Sequence, residues 1–143
     1  MYQIDERTQE IIDIRNQTKS LGLDGASVVV ALTTEELSAC YNGTGADWMP
    51  ASARAALDGF CAPFLPAVMV HDVETSLSDG SRETFDEVNR RFLANCQTCA
   101  MDAYPWYSWK RYALLVQARI MYDAVDEFGW KAWTDAYTDA HIN

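Results

Sequence analysis

His71 and Asp72 stand side by side after the apolar run Pro66-Ala67-Val68-Met69-Val70. Histidine titrates near neutral pH and can take a proton from water as a general base, while a carboxylate suits a hard cation. Adjacent residues of a helix point about 100° apart, so the two side chains would serve different partners at one spot. Taken alone, such a dipeptide is usually structural or solvated. Its surroundings give it interest. Upstream, Tyr41-Asn42-Gly43-Thr44-Gly45 is a glycine-containing loop able to turn several carbonyls inward. Carbonyls, one carboxylate and water suit the about six to eight oxygens that calcium takes. Asp47 could add to a cation site or cap the helix after Pro50. Downstream, Phe85, Val88, Phe92 and Cys96 recur at helical spacing, and Asn89 shares their face. Its amide points inward and needs a partner, which could be core carbonyls or the imidazole.

Four cysteines offer other chemistry. Cys96 and Cys99 form a C-x-x-C, whereas Cys40 and Cys61 stand alone. A structural zinc site normally shows two close pairs, so buried thiols or disulfides are the plainer readings.

The elements that must position these groups read as helices. Ile4, Ile11, Ile14 and Leu21 recur near helical spacing, and Gly22 stops the run. The β-branched run inside Ser27 to Leu32 predicts an isolated strand or extended connector. Thr33-Thr34-Glu35-Glu36 predicts a capping box opening a short helix. Residues 40 to 50 form a loop, and Pro50 suits the first turn of a helix running to about Phe60. Phe64 to Leu77 reads as a helix with Leu65, Val68 or Met69, and Val73 as its buried stripe. Ser78-Asp79-Gly80-Ser81 breaks it. An amphipathic helix from Arg82 to Thr98 follows, then a long one from Pro105-Trp106 to Phe128 and a last one from Trp130 to about Ala140. The expected class is all-α. One domain over 1–143 is expected: a helical extension at 1–39, a core at 40–99 and an aromatic-rich end at 104–143.

Composition narrows the function classes. The chain has 143 residues, and 49% belong to the hydrophobic set, which is ordinary for a globular domain. Its 11 Lys+Arg against 21 Asp+Glu leave a net charge of −10, with a sequence pI near 4.4. Nucleic-acid binding is disfavoured without a basic surplus to neutralise phosphates. Met1 to Arg7 contains no basic stretch leading into an apolar core. The expectation is therefore cytoplasmic residence, with virion association or release without a signal peptide as the alternative.

The order of glycine loop, His-Asp helix and second amphipathic helix resembles the phospholipase A2 superfamily. The residues concerned are Tyr41-x-Gly43-x-Gly45, Phe64-x-Pro66-Ala67-x-x-x-His71-Asp72, and Ser81-Arg82 through Phe92. The bacterial, fungal and parvoviral forms are the most similar, and the likeness covers roughly Cys40 to Cys99. It implies a central antiparallel helix pair and a calcium loop, with extra helices at both ends. It further implies His71 as the base that activates water against a phospholipid acyl ester. Asp72 and carbonyls around Tyr41, Gly43 and Gly45 would hold Ca2+. Two positions depart from the family. Asn89 stands three residues before Phe92, where relatives place the Asp that orients the imidazole, and Asp86 could substitute if the helix is shifted. Thr75 stands where a Tyr often follows His-Asp. The alternative is thus a catalytically weakened scaffold with a binding or structural role, for instance in a phage particle.

Of 17 aromatic residues, 10 lie from Tyr104 onward, so this segment is where an apolar surface or core must be built. Core or a subunit interface is the plainer expectation, and a phospholipid or membrane interface the sharper one. A protein partner or homo-oligomer would use these C-terminal helices. The acidic cluster Asp123 to Glu127 reads as a solvated helix face.

Overall fold

The computed structural model describes residues 4–41 and 59–141, and every regular element among them is helical. Helix α1 spans Glu6–Leu21. The Asp5 carboxylate accepts from the Thr8 amide at 2.7 Å, and Gly22 closes the other end at φ 62°, a conformation that favours glycine. Ile11 and Ile14 are buried, but Ile4 precedes the helix and is 52% exposed. The β-branched run is a correction to the expected strand. Ala26–Val30 is a one-turn helix, α2, that buries Val29 and leaves Val28 and Val30 outside. With no strand among the described residues to satisfy its amides, the segment closes its own hydrogen bonds. Helix α3, Thr34–Cys40, opens with the expected capping box, the Glu36 amide donating to Thr33 Oγ1 and the Thr33 amide to Glu36 Oε1. Most of the helix expected from Pro50 lies outside the described residues; 59–61 are helical.

After a 3-10 turn at Ala62–Phe64 comes α4, Leu65–Ser76. Pro66, Ala67, Val68, Met69, Val70 and Val73 are all buried, whereas Leu65 is only partly so. This is a wrapped helix rather than a striped one, because α1, α2, α3 and two of the helices that follow surround it. Helix α5, Arg82–Ala103, starts at the Ser81 cap and runs past the expected end at Thr98. The C-x-x-C stays on its buried face, and that apolar stripe carries the helix on. The α4 and α5 helices are antiparallel: His71 meets Asn89 and Phe92, and a turn earlier Ala67 lies against Cys99.

Helix α6, Trp109–Phe128, returns along α5, and α7, Trp130–His141, ends the described chain. The long helix begins at Trp109 and not at Trp106. The Ser108 hydroxyl accepts from the Lys110 amide and fixes the start there, while Ser108 itself is bonded back to the Pro105 carbonyl. Gly129 separates α6 from α7 because a side chain there would strike the Val125 carbonyl. Ile11, Val29, Leu37, Val70, Phe92 and Leu114 share one apolar cluster, to which α1 to α3 each contribute. Phe85, Val88 and Trp133 form a smaller cluster with Trp130 against it. Each fully buried large side chain of this kind contributes roughly 1.5–3 kcal/mol. No helix among the described residues is long and apolar enough to cross a membrane.

Candidate active site

Residues 71 and 89 meet because α4 and α5 are joined by the tight turn Ser78-Asp79-Gly80-Ser81. In that turn the Asp79 carboxylate accepts from the Ser81 amide at 2.9 Å and Gly80 takes φ 75°. His71 Nε2 lies 3.1 Å from Asn89 Oδ1, and its ring packs on Phe92 with centroids 4.8 Å apart. The imidazole is partly accessible, and loss of solvent holds its pKa below the ordinary 6.5, with the Asn89 bond working the other way. It is therefore neutral at pH 7. Nδ1 makes no hydrogen bond to the described residues.

Asn89 is fully buried, and its second end reaches α6: Nδ2 donates to Asp126 Oδ1 at 3.4 Å. Asp126 was not recognisable as part of a site within an acidic cluster. The available signal was its place 11 residues after Leu115, about three turns on, which puts it near the same core-facing side. Buried Asn bonded to main chain does occur in this fold, at Asn95. Its amide donates to the Asp24 carbonyl at 2.8 Å and accepts from the Asp24 amide at 2.9 Å, pinning the α1–α2 loop to α5.

The remaining sequence candidates fall in different places. Asp86 pairs with Arg82 at 3.4 Å, both side chains well exposed, and is not brought to His71. The Thr75 hydroxyl donates to the His71 carbonyl at 2.8 Å within its own helix. Asp72 is half-buried on α4 beside His71. Tyr41 is buried, and its carbonyl accepts from Arg7 Nη2 at 2.9 Å, as the Ser38 carbonyl does at 3.1 Å. A guanidinium thus closes the C-terminal end of α3. Gly43, Gly45 and Asp47 lie outside the described residues.

Of the calcium ligands that the resemblance implies, only Tyr41 and Asp72 fall among the described residues, and the Tyr41 carbonyl is engaged by Arg7. A carbonyl already bonded to a guanidinium is a poor ligand for a dication, since the two positive charges would adjoin. Among the described residues no group of three or more His, Cys, Asp and Glu side chains gathers for a metal. The four cysteines form no disulfide, and Cys61, Cys96 and Cys99 are buried. Burial pushes the Cys96 thiol far up and that of Cys99 up to about 11, so both are neutral. Cys40 Sγ lies 3.4 Å from Ser76 Oγ, placing the end of α3 beside the end of α4.

No family model, no curated protein and no solved structure matches this chain.

Proposed function

We propose that this chain is a phospholipase A2-like acyl ester hydrolase in which His71 activates water. The observation that carries the reading is the His71 Nε2–Asn89 Oδ1 bond across the antiparallel α4–α5 pair. It orients a neutral imidazole with Nδ1 free of the described residues, which is the arrangement a general base needs. Water bonded to Nδ1 loses its proton as its oxygen attacks the acyl carbonyl. His71 then returns that proton to the departing alkoxide. Phe92 on the ring face limits its rotation, so the geometry is set before substrate arrives.

The substrate class is a phospholipid presented at an interface. The outer face of α6 carries Trp109, Tyr112, Val116 and Ile120, and Trp109 is 73% exposed, as are Trp106 and Tyr107 nearby at over two thirds. From Ala103 to Tyr122 the sequence has Lys110, Arg111 and Arg119 and no acidic residue, although the whole chain carries −10. An aromatic stripe flanked by cations suits a helix lying flat on an anionic lipid surface. Trp109 stands about 25 Å along the helix from Asp126, so this face anchors the protein rather than lining the site.

A second reading is a scaffold without turnover, binding a protein partner or a second copy through the same helices. The specific observation favouring it is Arg7 on the Tyr41 carbonyl. Fatty-acid release from mixed phospholipid micelles separates the two readings. Release that persists with chelator and disappears in His71→Ala supports the hydrolase. Folded wild-type protein that releases nothing, with calcium or without, leaves the scaffold.

A further inference from the structure

We infer that Asp126 is a positioning residue that fixes the tautomer of His71 through the Asn89 amide. For its catalytic consequence this rests on the hydrolase reading; for the tautomer it does not. An amide has one accepting and one donating end, and Asn89, fully buried, must satisfy both inside the protein. One end faces His71 Nε2 at 3.1 Å, the other Asp126 Oδ1 at 3.4 Å. A neutral imidazole nitrogen can donate or accept, depending on where the proton sits, so it cannot by itself orient the amide. A carboxylate can only accept. Asp126 therefore turns the Asn89 NH2 towards α6 and its carbonyl towards α4. Nε2 must then carry the hydrogen, and the lone pair falls on Nδ1, the nitrogen that makes no bond to the described residues.

The register of α5 and α6 sets this up. They run antiparallel with Asn89 opposite Asp126, and Phe85 opposite Gly129 one turn on. The amide also passes a negative charge towards the imidazole at one remove, so an imidazolium formed during reaction is not left unsupported. The pair is matched. A carboxylate at position 89 would face the Asp126 carboxylate directly, and two such groups in contact cannot both ionise.

The test uses the full chain labelled with 15N and two-bond imidazole correlation spectra at pH 8, with His141→Gln assigning the two histidines. Wild type is expected to show a single Nε2–H tautomer for His71. In Asp126→Lys a donor replaces the acceptor, Asn89 reverses, and the spectrum is expected to move to the Nδ1–H form. An unchanged Nε2–H tautomer in a folded Asp126→Lys protein overturns the inference. Should that variant fail to fold, melting temperatures of the exchange pair decide. Asn89→Asp alone lowers the midpoint, and adding Asp126→Asn brings it back; additive losses overturn the proposal.

Activity separates the two ideas. If hydrolysis occurs, Asp126→Lys lowers kcat by up to about 10⁴-fold with KM little changed, as a wrong imidazole tautomer does in a serine-protease triad. A tautomer that switches in a protein without hydrolysis keeps the positioning role and removes the hydrolase. Hydrolysis with a tautomer indifferent to position 126 does the reverse.

Discussion

The Arg7 guanidinium lies 2.9 Å from the Tyr41 carbonyl, so a residue in the first turn of α1 closes the end of α3. The contact joins residues 34 apart in the chain and engages the main-chain carbonyl just before the glycine-containing segment. Arg7→Ala is expected to cost about 1–2 kcal/mol, the net value of a charge-assisted bond in a half-buried place. Urea unfolding would show this as a lower midpoint at unchanged slope. In the wild type, millimolar calcium should leave the melting temperature where it is. A calcium-dependent rise would require ligands that Arg7 does not block.

Asn95 makes a different prediction. Its two bonds to the Asp24 main chain pin that loop to the middle of α5, beside the Arg91–Asp24 ion pair at 3.4 Å, and the residue is buried. Asn95→Ala strands the Asp24 amide and carbonyl, for about 2–4 kcal/mol. Hydrogen exchange at the Asp24 amide should accelerate well beyond the global change. Exchange that merely follows global stability would show that the loop is held by other contacts.

His71 links stability to pH. Its pKa in the folded protein lies below the ordinary 6.5, chiefly because burial disfavours the charged ring. Below 6.5 the unfolded chain therefore binds a proton that the folded protein refuses. The contribution is fully present above 6.5 and is lost as pH falls through the window beneath it. Relative to His71→Gln, wild type should lose stability between pH 7 and pH 5. Parallel curves for the two proteins would contradict the burial of the ring.

The thiols should react in a fixed order. Cys40 is only partly buried, while Cys61, Cys96 and Cys99 are buried, and the last two are held neutral. A chromogenic disulfide reagent at pH 8 should modify one thiol quickly in the native state and the other three on unfolding. Cys40→Ser should remove the fast phase. A fast phase that survives this substitution would mean that one of the inner thiols opens to solvent.

Much of this was legible along the chain, since local signals act locally. The Thr33–Glu36 box, the Gly22 stop, the break at 78–81 and the stripe through Phe85, Val88 and Phe92 depend on residues within a turn or two. The inward Asn89 followed from that stripe as well. Local pattern misled where the deciding contact was distant. The Val28-Val29-Val30 run favours a strand by composition, yet only a partner strand could have satisfied it. The helix over Phe64 to Leu77 reads as striped, with Leu65, Val68 or Met69, and Val73 inward, until five neighbouring helices enclose all of Pro66 to Val70.

What the sequence by itself determined is an acidic helical chain with a histidine on one helix and an inward-facing asparagine on the next. Whether they meet, and in which orientation, was decided by tertiary structure. Asp126 lies 37 residues from Asn89 and looks like one acid among several until α6 folds back along α5. The same holds for Arg7, whose carbonyl partner is 34 residues away. Helical periodicity assigns a side chain to a face, but the packing of two helices sets the register in which faces meet, and hydrogen-bond partners follow from that register.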